Sequence, residues 1–368
     1  MKKYFFILLA IFLTFQTQAQ NYNLLIGTYT NKGNSEGIYV YSYNGLTAET
    51  SLKSIAKNVV NPSYLAVSGN KKFVYSVNED GKNSAVSAFS FNSQSGDLSF
   101  LNKKSSEGAD PCYIAIDDKN VILANYSGGT ISVFGRNADG SLSDAKQIIQ
   151  HTGRSIDPKK RQESAHVHQV QFTPDHKYLI SNDLGEDLIY IYNYNAASID
   201  KILTIKIVIK TNAGTGPRHL VFSPNGKFAY LAHEFNGNIT AFSYANGNLK
   251  KLHEIATVPK DFTGKIDGAD IHISPDGKFL YETNRGDANT IAVFSILPTG
   301  ILKFIERVST LGKGPRNFAI DPSGNHVLVA HQYTNDVVIF NRNKITGTLK
   351  DSSKRISVGV PVCLIFSK

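Results

Sequence analysis

Four polar residues combine the side chains needed for acid–base chemistry on an anionic molecule: His168, Arg218, Glu234 and Arg285. An imidazole can take a proton from water, which makes it a candidate general base. A guanidinium can bind a carboxylate, a phosphate or a developing oxyanion through paired N–H groups, and a carboxylate can orient either group. These four residues lie far apart in the chain, so their chemistry depends on the elements that would bring them together.

A repeated unit predicts those elements. The segments 214–226 and 312–324 both contain a Gly-Pro-Arg turn, a short apolar strand and a Pro-x-Gly turn. Related units, spaced by 46 to 56 residues, begin at Pro62, Pro111, Val167, Pro217, Gly268, Pro315 and Pro361. Three further strand-like segments follow each of the complete units, and four short strands in about 50 residues are typical of a β-propeller blade.

The two ends of the repeat pattern predict how the ring closes. Residues 23–28 match the second strand of a unit with no first strand before it, and residues 361–366 match a first strand with nothing after it. The last strand should therefore complete the blade that the first one begins, which removes exposed sheet edges. We predict an all-β fold, a single seven-bladed β-propeller over residues 20–368 with four antiparallel strands in each blade.

The charged residues are unevenly distributed around the predicted ring. The start of the first strand and the end of the second strand of each blade should face one mouth of the central channel, because the two strands are antiparallel neighbours. We number the blades from the unit that begins at Pro62, so that blade three begins at Val167. At these positions, blades three to six carry most of the ionisable groups, namely His168, Arg218, His219, Asp270, Arg316, Asp183, Glu234 and Arg285. A structural repeat does not need this asymmetry, whereas a site beside the channel axis does.

We assign roles within this sector as hypotheses. The predicted catalytic residues are His168, Arg218, Glu234 and Arg285, and the predicted substrate-binding residues are His166, His219, Arg316, Gln332 and Asp183. The alternative for the arginines is a set of ion pairs that tie neighbouring blades together. The pair His166 and His168 could bind a metal, but no third ligand lies at a recognised spacing, so we expect neither metal nor cofactor.

The longest spacing between repeats contains a basic segment. Its extra residues fall in 151–162, which include Arg154, Lys159, Lys160 and Arg161. This segment could form one wall of a pocket beside His168, or it could be a solvated loop.

The N-terminus has the order of a secretory signal peptide. Two lysines precede an apolar run over residues 4–15, and small residues at 17 and 19 follow. Cleavage after Ala19 would leave residues 20–368 with a formal charge of +7, and no membrane association afterwards. We therefore expect a periplasmic or secreted monomer. Long Lys/Arg runs of the kind that bind nucleic acid are absent from the sequence, and Cys112 and Cys363 are predicted to be buried free thiols.

Four segments resemble a known family. They are Arg161-Gln-Glu-Ser-Ala-His-Val-His-Gln-Val, Gly214-Thr-Gly-Pro-Arg-His-Leu, Asp267-Gly-Ala-Asp-Ile-His and Gly312-Lys-Gly-Pro-Arg-Asn-Phe. The sequence resembles the seven-bladed propeller lactonases, which include propeller-type 6-phosphogluconolactonase and carboxymuconate lactonizing enzyme. The resemblance implies the opening or closing of a lactone by a His, an Arg, a Glu and a second Arg, which match His168, Arg218, Glu234 and Arg285. His166 also matches a frequent histidine of the family.

Three functions follow as hypotheses. The first is a hydrolase that opens a small anionic sugar lactone, in which arginines hold the anion and His168 activates water. An exported protein would meet little phosphorylated sugar acid, so a non-phosphorylated sugar lactone is the alternative substrate. The second is a muconate-type cycloisomerase, and the third is a non-catalytic propeller that binds a ligand.

Overall fold

The computed structural model describes residues 20–157 and 160–367. The predicted signal peptide, residues 1–19, lies outside the described residues. One short 3-10 helix covers Gly81–Asn83. The described strands, in chain order, are β1 (Asn21–Thr28), β2 (Gly37–Asn44), β3 (Thr50–Lys57), β4 (Leu65–Val67), β5 (Phe73–Asn78), β6 (Ala85–Phe91), β7 (Leu98–Ser105), β8 (Pro111–Ile116), β9 (Asn120–Asn125), β10 (Thr130–Arg136), β11 (Leu142–Gln150), β12 (Val167–Phe172), β13 (Tyr178–Asp183), β14 (Leu188–Tyr194), β15 (Leu203–Lys210), β16 (Pro217–Phe222), β17 (Phe228–His233), β18 (Asn238–Ala245), β19 (Asn248–Ala256), β20 (Gly268–Ile273), β21 (Phe279–Asn284), β22 (Thr290–Ile296), β23 (Leu302–Ser309), β24 (Pro315–Ile320), β25 (His326–His331), β26 (Asp336–Arg342), β27 (Leu349–Ser357) and β28 (Pro361–Ser367).

These strands form seven antiparallel sheets of four strands each. Six sheets contain four consecutive strands, and the seventh has the order β28-β1-β2-β3. In that sheet Leu25 pairs with Ile365, so the last strand completes the blade that the first strand begins. The prediction of an all-β, seven-bladed propeller closed by its C-terminal strand is confirmed.

The apolar core lies between neighbouring blades. Central strands such as β9 and β25 are buried throughout, whereas outer strands such as β15 are mostly exposed. Leu24 and Tyr43 of one blade pack with Leu328 and Ile339 of the preceding one in a single buried cluster. Face-to-face packing of this kind holds each blade between two others, so the inner strands form a rigid frame around the channel.

An irregularity near the start of the inner strands aims side chains into the channel. In β8, β12, β16, β24 and β28, one extra residue interrupts the register with the second strand: Cys112, His168, Arg218, Arg316 and Val362. The register of β20 shifts in the same way between Gly268 and Ile271. A β-bulge frees the extra residue from the ladder and redirects its side chain. The bulges therefore create the ring of channel-facing positions that the repeat predicts.

Other features of the described chain bear on the predictions. Cys112 and Cys363 are free and buried, as predicted. Among the described residues, we find no helix with the length and apolar character needed to cross a membrane.

Glu282 is a carboxyl group buried in β21. Its side chain is only 1% exposed, and its Oε2 atom has no hydrogen-bond partner among the described residues. Burial raises the pKa of Glu282 well above the usual 4.5. The folded protein therefore keeps a proton that the unfolded chain releases above pH 4.5, and the stability that this proton provides is lost as the pH rises towards the folded pKa.

Glu282→Gln should remove this pH dependence. We expect the substitution to raise the thermal unfolding midpoint more at about pH 8 than at about pH 5, because glutamine needs no proton to stay neutral. The difference in unfolding free energy can grow by up to about 1.4 kcal/mol per pH unit. Glu49→Gln, at an exposed position, is the matched control. A Glu282→Gln effect that does not vary with pH would contradict the prediction.

Candidate active site

Glu234 is the centre of a buried charge cluster at the channel mouth. Its Oε2 atom lies 2.9 Å from Arg218 Nε and 3.0 Å from Arg285 Nη2, and its Oε1 atom lies 2.8 Å from Arg161 Nη2. Burial opposes ionisation of Glu234, but the charges of the three arginines outweigh it and lower its pKa to about 2. Glu234 is therefore a carboxylate at neutral pH, and it holds the three guanidinium groups together.

The two inner arginines are each fixed by a second acceptor. Arg218 Nη1 donates to the carbonyl oxygen of Ala269, and Arg285 Nη2 lies 3.0 Å from Asp267 Oδ1. Burial and the neighbouring Arg285 lower the pKa of Arg218 to about 10, which still leaves it charged at neutral pH. The structure thus brings Arg218, Glu234 and Arg285 together from the ends of different strands.

His168 lies beside this cluster. Its Nε2 atom is 4.0 Å from Glu234 Oε2, and its Nδ1 atom is 3.8 Å from Cys112 Sγ. Burial, reinforced by the charge of Arg218, lowers the pKa of His168 well below 6.5. The imidazole is therefore neutral at neutral pH, with a ring nitrogen able to accept a proton.

His219 lies deeper in the channel and is fixed by Asp270. The His219 Nδ1 atom is 2.8 Å from Asp270 Oδ1, while His272 Nε2 and Asn317 Nδ2 lie 2.9 and 2.5 Å from Asp270 Oδ2. Burial and Arg218 lower the pKa of His219 to about 4. Stacked tyrosines pack edge-on against the His219 ring and form the floor of the site, namely Tyr64 and Tyr113.

Arg316 lies at the channel mouth beside Tyr29. Its guanidinium lies 5.5 Å from the centre of the Tyr29 ring, and it makes no side-chain hydrogen bond or ion pair within the described ranges. Glu79, nearby, accepts hydrogen bonds from Tyr29 and Ser63. The space between Arg218, His219 and Arg316 is only about 10 Å³, which is room for about one water molecule.

The other three predicted binding residues lie around or behind this cluster. His166 stacks on Tyr126 at 4.4 Å, beside His168. Gln332 follows β25 with its side chain nearly buried. Asp183 contacts none of the cluster arginines within the described chain. Its Oδ1 atom instead accepts the backbone N–H of His166, which precedes β12, and those of Gly185 and Glu186 in the turn after β13.

His151, at the start of the 151–162 segment, is buried against Asp183. His151 Nδ1 is 2.7 Å from Asp183 Oδ2, and its Nε2 is 2.7 Å from Tyr192 Oη. His151, Asp183 and Glu186 each offer a possible metal-ligand atom, and these atoms lie within 4.8 Å of one another. Glu186 accepts from Gly153 N–H and the Tyr190 hydroxyl, so each of the three groups already has hydrogen-bond partners within the protein.

Arg161 and Tyr126 complete the cluster, although the sequence predicted no role for Tyr126 and left the Arg161 segment undecided. Arg161 Nη2 donates to Tyr126 Oη at 2.7 Å, and its guanidinium lies 5.4 Å from the centre of the Phe235 ring. Two features of the sequence could have indicated these residues. Arg161 lies in the longest spacing between repeats, and Tyr126 directly follows β9, the second strand of its blade, whose end faces the channel mouth. Arg161 lies over Glu234 and is therefore not a freely solvated residue.

Comparison with known families agrees with this architecture. The model of the family described as lactonase, 7-bladed β-propeller, matches residues 23–366. The chain belongs to this lactonase family. A 6-phosphogluconolactonase of Bacillus subtilis is 37% identical over 346 residues, which cover 93% of this chain and 97% of the relative. The family resemblance and the prediction of a lactonase-type enzyme are confirmed.

Solved structures of other lactonases share the fold. A Bacteroides fragilis protein, described as a candidate 6-phosphogluconolactonase, has 44% identity and a TM-score of 0.92, covering 96% of this lactonase and 99% of its own chain. The periplasmic gluconolactonase of Pseudomonas aeruginosa has 34% identity and a TM-score of 0.90, covering 95% and 99%.

Proposed function

We propose that this lactonase hydrolyses a sugar lactone at the channel mouth, with His168 as general base. The observation that carries the proposal is the neutral imidazole of His168, placed 4.0 Å from the carboxylate that gathers three arginines. Water adds to the lactone carbonyl carbon as His168 takes its proton. The ring C–O bond then breaks, and the proton returns to the leaving ring oxygen to give a hydroxy acid.

The arginines supply the electrostatic part of the proposal. Glu234 and Asp267 offset part of the charge of Arg161, Arg218 and Arg285, and the channel mouth also contains Arg316. The remaining positive charge favours the negative charge that develops on the carbonyl oxygen during attack, and burial strengthens this interaction.

The relatives support a sugar lactone as the substrate class. Their names include a 6-phosphogluconolactonase and a periplasmic gluconolactonase, so both phosphorylated and neutral lactones are substrates to test. Neither name favours a muconate cycloisomerase or a binding protein without activity. We also propose that the enzyme is exported, for which the sequence of residues 1–19 and the similarity to a periplasmic relative are the support, and that it acts as a monomer.

A substrate panel tests this function. The purified enzyme should accelerate the hydrolysis of glucono-δ-lactone or 6-phosphogluconolactone above the spontaneous rate, measured as acid release in a pH-stat. Conversion of cis,cis-muconate, followed by ultraviolet absorbance, is the contrasting reaction. Turnover of muconate without turnover of either sugar lactone would overturn the proposal.

A further inference from the structure

The proposed catalytic groups are closed off from solvent. The side chains of Arg218 and Glu234 are 2% exposed, and that of His168 is 5% exposed. The cavity that Arg218 lines together with His219 and Arg316 has room for about one water molecule, which is far too little for a sugar lactone. A substrate must therefore reach the cluster from the outer side, where a side chain of the protein has to move aside.

Arg161 is the side chain that covers the cluster on that side. It is 41% exposed, whereas Arg285 is 8% exposed and Arg218 is 2% exposed. Its guanidinium donates to Glu234 and Tyr126, so it covers Glu234 Oε1 while Oε2 faces the other two arginines. Among the three cluster arginines, Arg161 alone is both bonded to the centre and widely open to solvent.

The backbone around Arg161 is anchored. Asp157 Oδ1 accepts the backbone N–H groups of Arg161 and Gln162, and Gln162 Nε2 donates to the Leu184 carbonyl oxygen at 2.8 Å. An arginine side chain has several rotatable bonds, so the guanidinium can move while these anchors remain. A rotamer change of this kind is fast compared with enzyme turnover.

We propose that Arg161 selects lactones that carry an anionic substituent, a phosphate or a carboxylate, by exchanging Glu234 for that group. This inference rests on the proposed lactone hydrolysis. The exchange replaces one charge-assisted hydrogen bond with another, so an anionic substrate compensates for opening the site. Glu234 stays paired through Oε2 with Arg218 and Arg285, which avoids an isolated buried carboxylate.

A neutral lactone offers no such compensation. Its hydroxyl groups can accept hydrogen bonds from Arg161, but bonds between two charged groups are stronger. The exchange also frees Glu234 Oε1, which then accepts a hydrogen bond from a substrate hydroxyl. The same movement thus binds the anion and opens a second contact for the sugar.

Matched substitutions in one segment test the role of Arg161. We compare Arg161→Gln with Arg154→Gln, because both remove one positive charge and Arg154 is exposed outside the cluster. For each variant and the wild type, kcat and KM are measured on neutral glucono-δ-lactone, on 6-phosphogluconolactone and on a glucarolactone. The last two substrates separate phosphate from carboxylate as the recognised group.

We define the preference as the ratio of kcat/KM for a charged lactone to kcat/KM for the neutral one. Arg161→Gln should lower this ratio by about 10- to 100-fold, chiefly through a higher KM for the charged lactone. Arg154→Gln should leave this preference unchanged. Arg161→Lys keeps the positive charge but loses the forked donor, so its preference should lie between those of the wild type and Arg161→Gln. Unfolding midpoints within about 3 °C of the wild type would exclude a folding defect as the cause.

Three results would overturn the inference. One is an Arg161→Gln variant that loses activity equally on all three lactones, and another is a wild-type enzyme that prefers the neutral lactone. In both cases the proposed hydrolysis would stand. A wild-type enzyme inactive on all three lactones would instead overturn the proposed function together with the inference.

Discussion

Glu234→Gln should lower the free energy of unfolding by about 3–5 kcal/mol at neutral pH, the usual result of removing one partner from a buried ion pair. Glu234 is the carboxylate that Arg161, Arg218 and Arg285 share, and it is 2% exposed. Without its charge, two buried guanidinium groups repel each other and lose a hydrogen-bond acceptor. Urea denaturation followed by circular dichroism measures the change.

The pH dependence of this effect has a defined sign. The folded pKa of Glu234, about 2, lies below its usual value of 4.5. Its stabilising contribution is therefore fully present above pH 4.5 and is lost as the pH falls towards 2. We expect the difference between wild type and Glu234→Gln to shrink in acid.

An exposed glutamate provides the control for Glu234→Gln. Glu49 lies 3.9 Å from Lys354 with a side chain that is 72% exposed. Glu49→Gln should change the unfolding free energy by less than about 1 kcal/mol, because water screens the pair. Equal small effects at both positions would show that Glu234 does not hold the arginines together in solution.

His168→Asn should reduce kcat/KM for the preferred lactone by about 10²- to 10⁴-fold, which is the usual contribution of a general base. Asparagine is smaller and cannot take the proton from water. In the wild type, the acid limb of the kcat/KM profile should lie well below pH 6.5, because burial and Arg218 lower the pKa of His168. Activity should therefore persist as the pH falls from about 7 to 6, and the variant should lack this acid limb.

His176 allows a matched substitution for this test. It is exposed in a turn with a φ of 53°, a backbone conformation that asparagine tolerates well. His176→Asn should keep the wild-type kcat/KM and pH profile. If His168→Asn behaves like His176→Asn, or if the wild-type acid limb lies near pH 6.5, His168 is not the base.

The repeat in the sequence was sufficient to predict the fold, because each blade reuses the same turns and strand lengths. It also brought together His168, Arg218, Glu234 and Arg285, since the bulges and strand ends recur at fixed positions in the repeat. Repeat position fixes where a residue lies around the channel, and within blades three to six that is enough to place these side chains in one cluster.

The direction of other side chains depended on contacts that the repeat does not encode. Asp183 lies at the end of a second strand, where the repeat predicts that a residue faces the channel mouth. Its carboxylate instead forms hydrogen bonds with three backbone N–H groups and with His151. Arg161 belongs to an insertion, so no repeat position could place it over Glu234. His151 became a buried partner because Tyr190 stacks on it at 4.0 Å, a contact between residues 39 positions apart.

The pairing of β1 with β28 has a consequence for protein synthesis. β1 emerges first from the ribosome, but its inner neighbour is the last strand to be made. Until then β1 presents an open, apolar sheet edge, which other nascent chains can pair with. The channel also stays incomplete until β28 is in place, so premature termination yields an aggregation-prone chain rather than a partly active enzyme.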